Sequence, residues 1–124
     1  MDTLAWFSLD ANDKPCEHDP VPLSAALEIA RKYFADEGSG SSMFGFTRGE
    51  DTFIQFSVCG PKSLLFWFEM PKDPNAKPGF FRKIFPSVFQ YEDTLTTWEE
   101  MEKTITDFYN QSPKQFYDNL KKAA

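Results

Sequence analysis

Apolar and polar residues alternate along three consecutive segments in the middle of the chain: Met43–Arg48, Thr52–Val58 and Ser63–Met70. Successive side chains of a β-strand point to opposite faces, so this period of two predicts three strands. Short segments that contain glycine separate the three runs, and such segments typically form the turns between antiparallel neighbours. We therefore predict an antiparallel meander over residues 43–70.

The two faces of this meander differ in chemistry. One face carries large apolar side chains, namely Ile54, Phe56, Val58, Leu64, Phe66, Phe68 and Met70. The other mixes rings with polar groups, namely Phe53, Gln55, Ser57, Leu65, Trp67 and Glu69. Helices on both faces of the sheet would bury Trp67, whereas helices on one face would leave it at the surface. Alternation alone leaves both arrangements open.

Three further segments have an extended character. Thr3–Leu9 is a short apolar run that predicts a strand. Cys16–Pro22 contains prolines, which fix φ and remove N–H donors, so we predict an extended linker there. In Phe80–Tyr91 the apolar residues have helical spacing, but Pro86 favours extended backbone, which we predict over Ser87–Glu92.

Helical spacing marks the remaining segments. Apolar residues recur every three or four positions over Leu23–Phe34, and Gly38–Ser42 then suits a flexible bridge. Thr97 and Glu100 have the spacing of a capping box, in which each side chain accepts from the backbone N–H of the other residue. Ser112–Gln115 repeats this signal and adds a proline in the first turn. We predict one N-terminal and two C-terminal helices.

These elements predict an α+β fold. It consists of an antiparallel sheet of four to five strands, the meander 43–70 included, with the N-terminal helix and the two C-terminal helices packed on one face. The chain has 124 residues, which is the length of a single domain over 1–124. Its 14 phenylalanines supply a large apolar core, a composition that excludes an intrinsically disordered chain.

Charge and cysteine content bound the partners and the compartment. The net charge of −6 disfavours nucleic-acid binding, which depends on lysine and arginine, and favours a basic protein partner. No apolar run is long enough to span a membrane, and the first residues do not resemble a signal peptide. We interpret Cys16 and Cys59 as reduced thiols and predict a cytoplasmic protein without a membrane partner.

Catalytic and metal-binding motifs are weak. Cys16 and His18 lie within a polar tetrapeptide, but a structural zinc site needs four N or S ligands, and only Cys59 would join them. A Cys–His pair two residues apart in extended backbone cannot readily face each other, and no third group is marked to orient it. We predict no catalytic residue, no metal ligand and no cofactor.

Recognition residues are easier to nominate. Glu69 lies in an otherwise apolar strand, where burial would raise its pKa, although strand alternation favours a solvent-facing position. Trp67 beside it would make an exposed aromatic residue next to acid and amide groups, the composition of a protein-binding patch. Glu92 and Asp93 carry charges that would steer a basic partner. We predict partner binding by Trp67, Glu69, Glu92 and Asp93.

An acidic chain with a leading helix (Leu23–Phe34), an aromatic meander (Met43–Met70) and a capped helical tail (Thr97–Leu120) resembles the small cytoplasmic bacterial immunity proteins of polymorphic toxin systems. The resemblance is one of architecture and assigns no residue roles. It implies a non-catalytic protein that neutralises a cognate, basic toxin by binding it and occluding its active site. Two alternatives stay open: a small ligand-binding or hydrolytic domain with a pocket around Glu69, and a cytosolic chaperone or adaptor for a secreted effector.

Overall fold

In the part of the chain that it describes, a computed structural model shows a six-stranded antiparallel sheet and three helices. The strands are β1 (Thr3–Leu9), β2 (Pro15–Pro22), β3 (Met43–Arg48), β4 (Thr52–Gly60), β5 (Ser63–Pro71) and β6 (Val88–Leu95). The helices are α1 (Leu23–Ala35), α2 (Trp98–Asn110) and α3 (Pro113–Ala123). The structure describes residues 2–9, 12, 14–35, 43–49, 51–60, 63–72 and 88–123. The predicted bridge at 38–42 and residues 80–87 lie outside this set.

The strand order is β2-β1-β3-β4-β5-β6, and each neighbouring pair is antiparallel. The α+β class and the meander of β3, β4 and β5 are confirmed. The predicted count of four to five strands is wrong, because Cys16–Pro22, predicted as an extended linker, belongs to a strand. Its prolines are tolerated since β2 lies at the edge of the sheet, where one side of the strand makes no ladder. Pro20 also falls at the register shift opposite Leu4 and Trp6.

The strand β6 forms the other edge of the sheet. The prediction of extended backbone is confirmed for the described part of Phe80–Tyr91, where β6 begins at Val88. The strand then continues past the predicted end at Glu92 to Leu95 and pairs with β5 throughout. The tertiary pairing with β5 therefore selects extended backbone over the helical spacing of the apolar residues.

The core lies between one face of the sheet and the three helices. The ring of Phe44 stacks on Tyr33 of α1, with centroids 4.4 Å apart. From the same face, Phe68 contacts Phe108 of α2 and Phe116 of α3. The fully buried side chains include seven phenylalanines: Phe44, Phe46, Phe56, Phe66, Phe68, Phe108 and Phe116. The described helices pack on one face of the sheet, which is the arrangement of the predicted α+β fold.

Local hydrogen bonds define both ends of α2. At its start, the Glu100 N–H donates to the Thr97 hydroxyl at 3.2 Å, and the Thr97 N–H donates to Glu100 Oε1 at 3.2 Å, which confirms the capping box. At its end, Arg48 Nη2 donates to the carbonyl oxygens of Phe108 (3.1 Å) and Tyr109 (2.9 Å). Because a helix leaves its last carbonyl groups unpaired, this arginine ties the end of α2 to β3.

Candidate protein-binding surface

The sheet face opposite the helices carries the candidate site, and we call it the open face. Its side chains alternate with the core residues of β1, β3, β4 and β5, and no described helix packs on it. Phe7, Phe53, Leu65 and Trp67 lie there and are partly buried, in contrast to the fully buried rings of the helix face. Phe7 contacts Phe53, and Leu65 and Trp67 lie on β5 next to β4, about 4.8 Å away, so the four side chains form one apolar patch.

One line of paired residues crosses all six strands on the open face, and we call it the central row. It consists, from β2 to β6, of Glu17, Phe7, Gly45, Gln55, Trp67 and Glu92. Five strand spacings separate its two carboxylates, which corresponds to about 24 Å. The central row therefore has aromatic residues and an amide in the middle and an acid at each end.

Phe7 takes its position on the open face because Gly45 has no side chain. A Cβ atom at residue 45 would overlap the Cζ and Cε1 atoms of Phe7 and the carbonyl oxygen of Ile54. The Phe7 ring thus lies over the backbone of β3, and its edge-to-face contact with Phe53 has a centroid distance of 6.4 Å. This packing fixes one end of the apolar patch.

The structure brings three of the four predicted site residues together. Trp67 pairs with Glu92, and Glu69 pairs with Gln90, all on the open face. Gln90 Nε2 donates to Glu69 Oε1 at 3.0 Å. Asp93 is directly opposite Phe66 in the register and therefore lies on the helix face. The prediction grouped Glu92 with Asp93 because they are adjacent in sequence, but neighbours in a strand point to opposite faces.

Sequence reasoning missed Phe7, Gly45 and Glu17 as members of the surface. The alternation within Thr3–Leu9 does separate Phe7 from Leu4 and Trp6, so a signal for its face is present. The sequence around Glu17 contains no such signal, because its prolines are typical of a linker. Only the pairing of β2 with β1 places Glu17 beside Phe7.

The open face is acidic. Glu17, Glu69 and Glu92 lie on it, and Arg48 is the one lysine or arginine within the six described strands. The Arg48 guanidinium lies on the helix face, where it bonds the end of α2. The six described strands thus carry carboxylates on the open face and no lysine or arginine there to neutralise them.

His18, considered above as a zinc ligand and as a partner of Cys16, contacts two residues of β1. Its Nε2 atom lies 2.8 Å from the hydroxyl of Ser8, which is 8% exposed. Its ring stacks on Trp6 at a centroid distance of 3.9 Å. These contacts hold the edge strand β2 against β1. Among the described residues, no three His, Cys, Asp or Glu side chains are gathered for a metal ion, and Cys16 and Cys59 are exposed free thiols.

A cleft of about 320 Å³ lies on the helix face, between β6, α2 and α3. Phe66, Leu95, Phe116 and Leu120 form its apolar floor, and Asp93 is on its rim. Glu69 is on the opposite face of the sheet and does not line this cleft.

Two titrating groups of the cleft are perturbed. Burial, helped by the nearby Asp93 carboxylate, raises the pKa of Tyr91. The backbone N–H of Thr96, together with the N–H and hydroxyl groups of Thr97 and the hydroxyl of Thr96, lowers the pKa of Glu100. At neutral pH, Tyr91 is therefore an uncharged ring and Glu100 a carboxylate.

Comparison of the chain with protein-family models, with curated proteins and with solved structures finds no match. Among the described helices, none combines the length and the apolar character needed to cross a membrane.

Proposed function

We propose that this protein acts by binding a basic protein through the open face of its sheet, without catalysing a reaction itself. The partner, by the architectural resemblance, is a bacterial toxin whose active site the bound chain occludes. The central row carries this proposal, because it places Trp67 and Phe7 between the carboxylates of Glu17 and Glu92.

The chemistry of the patch supports a protein as the ligand. A tryptophan within an apolar patch is a frequent hot spot of protein–protein interfaces, whereas polar groups at the rim contribute more to orientation. The open face measures about 24 Å across the strands and about 20 Å along them. A patch of this size supplies much of the about 800 Å² that one partner contributes to a specific interface.

Charge supports a basic partner. Carboxylates at the ends of the central row attract a positively charged surface during the encounter and repel a second acidic chain of net charge −6. Attraction of this kind acts mainly on the association rate, and salt weakens it because the Debye length is about 8 Å at physiological ionic strength.

The test is a binding measurement between the purified chain and the product of the gene beside its own. We expect a stoichiometric complex whose association rate falls with added salt, together with loss of the toxin's activity. Trp67→Ala should weaken the affinity at least about 30-fold, the effect of removing a hot-spot residue. Glu69→Gln should slow association, whereas Glu102→Gln, the same charge change on an exposed part of α2, should not.

Circular dichroism and urea unfolding of each variant separate lost contacts from lost folding. Failure of the neighbouring gene product to form a complex contradicts toxin neutralisation. A complex whose affinity is unaffected by Trp67→Ala, with the variant folded, contradicts binding through the open face.

A further inference from the structure

The cleft between β6, α2 and α3 has the make-up of a binding pocket. Its apolar floor reaches down to Phe66, whose side chain is fully buried, and the ring of Tyr91 lies beside it. Polar side chains line the rim. A concave site of about 300 Å³ or more, with an apolar floor and a few polar groups, is typical of ligand pockets in proteins.

The rim of the cleft is negatively charged. Asp93, Glu100 and Asp107 contribute three carboxylates, and Lys103 contributes one positive charge. Lys103 is already engaged, because its Nζ atom donates to Asp107 Oδ2. Glu100 Oε1 accepts the bonds of the α2 cap.

Asp93 is the carboxylate of the rim least engaged by other side chains. Its Oδ1 atom accepts the Thr94 N–H at 2.8 Å, which is a local contact within the strand. A positively charged group that entered the cleft would lie near this carboxylate and over aromatic rings, and both attract cations.

We propose that the cleft receives the side chain of an arginine from the partner protein, with the guanidinium at Asp93 and the aliphatic stem on the apolar floor. The inference rests on the proposed function for the identity of the partner. A guanidinium suits the site better than an ammonium group, because it is planar, stacks on rings and pairs with a carboxylate in a fork. Asp93 and Glu92 would then contact one partner from the two faces of the edge strand β6.

The site is tested without the partner by titrating the isotope-labelled full chain with n-butylguanidinium and following amide resonances by NMR. We expect shifts concentrated at residues 91–95 and 116–120 and a Kd on the order of 1 mM, which is usual for so small a fragment. n-Butanol and butyrate, which lack the cation, should bind at least about tenfold more weakly. Equal binding of butanol, or shifts elsewhere on the protein, would refute the site.

Two matched variants test which carboxylate attracts the cation. Asp93→Asn should weaken n-butylguanidinium about fivefold, the effect of one partly exposed ion pair. Glu92→Gln makes the same change in net charge on the adjacent residue but on the open face, and should leave the Kd within about twofold. Loss of binding in both variants to the same extent would indicate attraction by net charge and would overturn the assignment.

A short peptide identifies the source of the cation. Acetyl-Gly-Arg-Gly-amide should bind the cleft at least as tightly as n-butylguanidinium. Binding of the free fragment alone would mean that the cleft takes a small organic cation and would overturn the proposal of a protein side chain. Trp67→Ala should not alter the binding of either probe, so failure of the open-face proposal and failure of the cleft proposal give different results.

Discussion

The hydroxyl of Tyr109 on α2 donates a hydrogen bond of 2.8 Å to the backbone carbonyl of Val21 on the edge strand β2. The bond joins positions 88 residues apart, and Tyr109 is buried. Burial raises the pKa of Tyr109 to about 12. The bond ties the edge strand to the helical layer.

Tyr109→Phe should lower the free energy of unfolding by about 1–3 kcal/mol, because the Val21 carbonyl loses its donor. The phenol pKa is about 10 in the unfolded chain and about 12 in the folded one. Its contribution is therefore complete below about pH 10 and is lost as the pH rises from about 10 to about 12. Urea unfolding from neutral pH to about pH 12 should show this alkaline loss in the parent chain and a smaller loss in the variant.

Tyr117→Phe is the matched control for that experiment. Tyr117 is also a buried tyrosine and packs on Phe68, but its hydroxyl makes no hydrogen bond among the described residues. Its removal should change stability by less than about 0.5 kcal/mol. An equal effect of the two substitutions would show that the Tyr109 hydroxyl has no special role.

Gly45→Ala should destabilise the fold by about 3 kcal/mol or more, because the new methyl group would overlap the Phe7 ring and the Ile54 carbonyl oxygen. Phe7→Leu in the same chain should recover only part of this loss, since the clash with the backbone of Ile54 stays. Chemical unfolding measures both effects. Full recovery in the double variant would mean that the ring alone excludes a side chain at residue 45.

Gly49→Ala separates crowding from backbone strain. Gly49 has φ of +75°, and nothing lies within 4 Å of the position that a Cβ atom would occupy, so the cost comes from the left-handed backbone conformation alone. We expect a loss of about 1 kcal/mol in the free energy of unfolding, well below the loss at Gly45. Equal losses at the two glycines, measured by the same chemical unfolding, would contradict the role of crowding at Gly45.

Glu100→Gln should reduce the loss of unfolding free energy that the parent chain shows as the pH falls below 4.5. The hydrogen bonds from Thr96 and Thr97 lower the pKa of Glu100 from 4.5, so its contribution is present above pH 4.5 and is lost as the pH falls below that value. At neutral pH the substitution should cost about 0.5 kcal/mol, because glutamine can still cap the helix while the favourable charge is gone. Thermal unfolding from about pH 3 to neutral pH measures this loss.

Glu99→Gln removes a neighbouring charge from the same first turn without touching the bonds of the capping box. At acid pH, its free energy of unfolding should fall as steeply as that of the parent chain. The same reduction of the loss in both variants would assign the effect to the general charge of the turn.

Local patterns determined much of this fold. Alternation in Thr52–Val58 and Ser63–Met70 predicts which side chains enter the core, because a strand has a fixed period and an apolar face must be covered. The capping box at Thr97 is equally local, since its two partners are three residues apart. The spacing of Leu23–Phe34 likewise places a helix, whose buried stripe includes Ala26 and Ala30.

Strand pairing decided the structure of two segments for which the local sequence pattern was misleading. The residues Pro15–Pro22 become an edge strand only because β1 offers them a partner, and this pairing brings Glu17 beside Phe7. The apolar spacing of Phe80–Tyr91 suits a helix, yet the described part pairs with β5.

The sequence by itself determined the three helices, the meander with its apolar face and the acidic balance of the chain, because these depend on periodicity and composition over short distances. Tertiary structure alone decided that Trp67 lies with Glu92 on a face that no described helix covers and that Asp93 lies across the sheet in a cleft. The physical reason is that register and the placement of helices come from contacts between residues far apart in the chain, which the order of residues does not display.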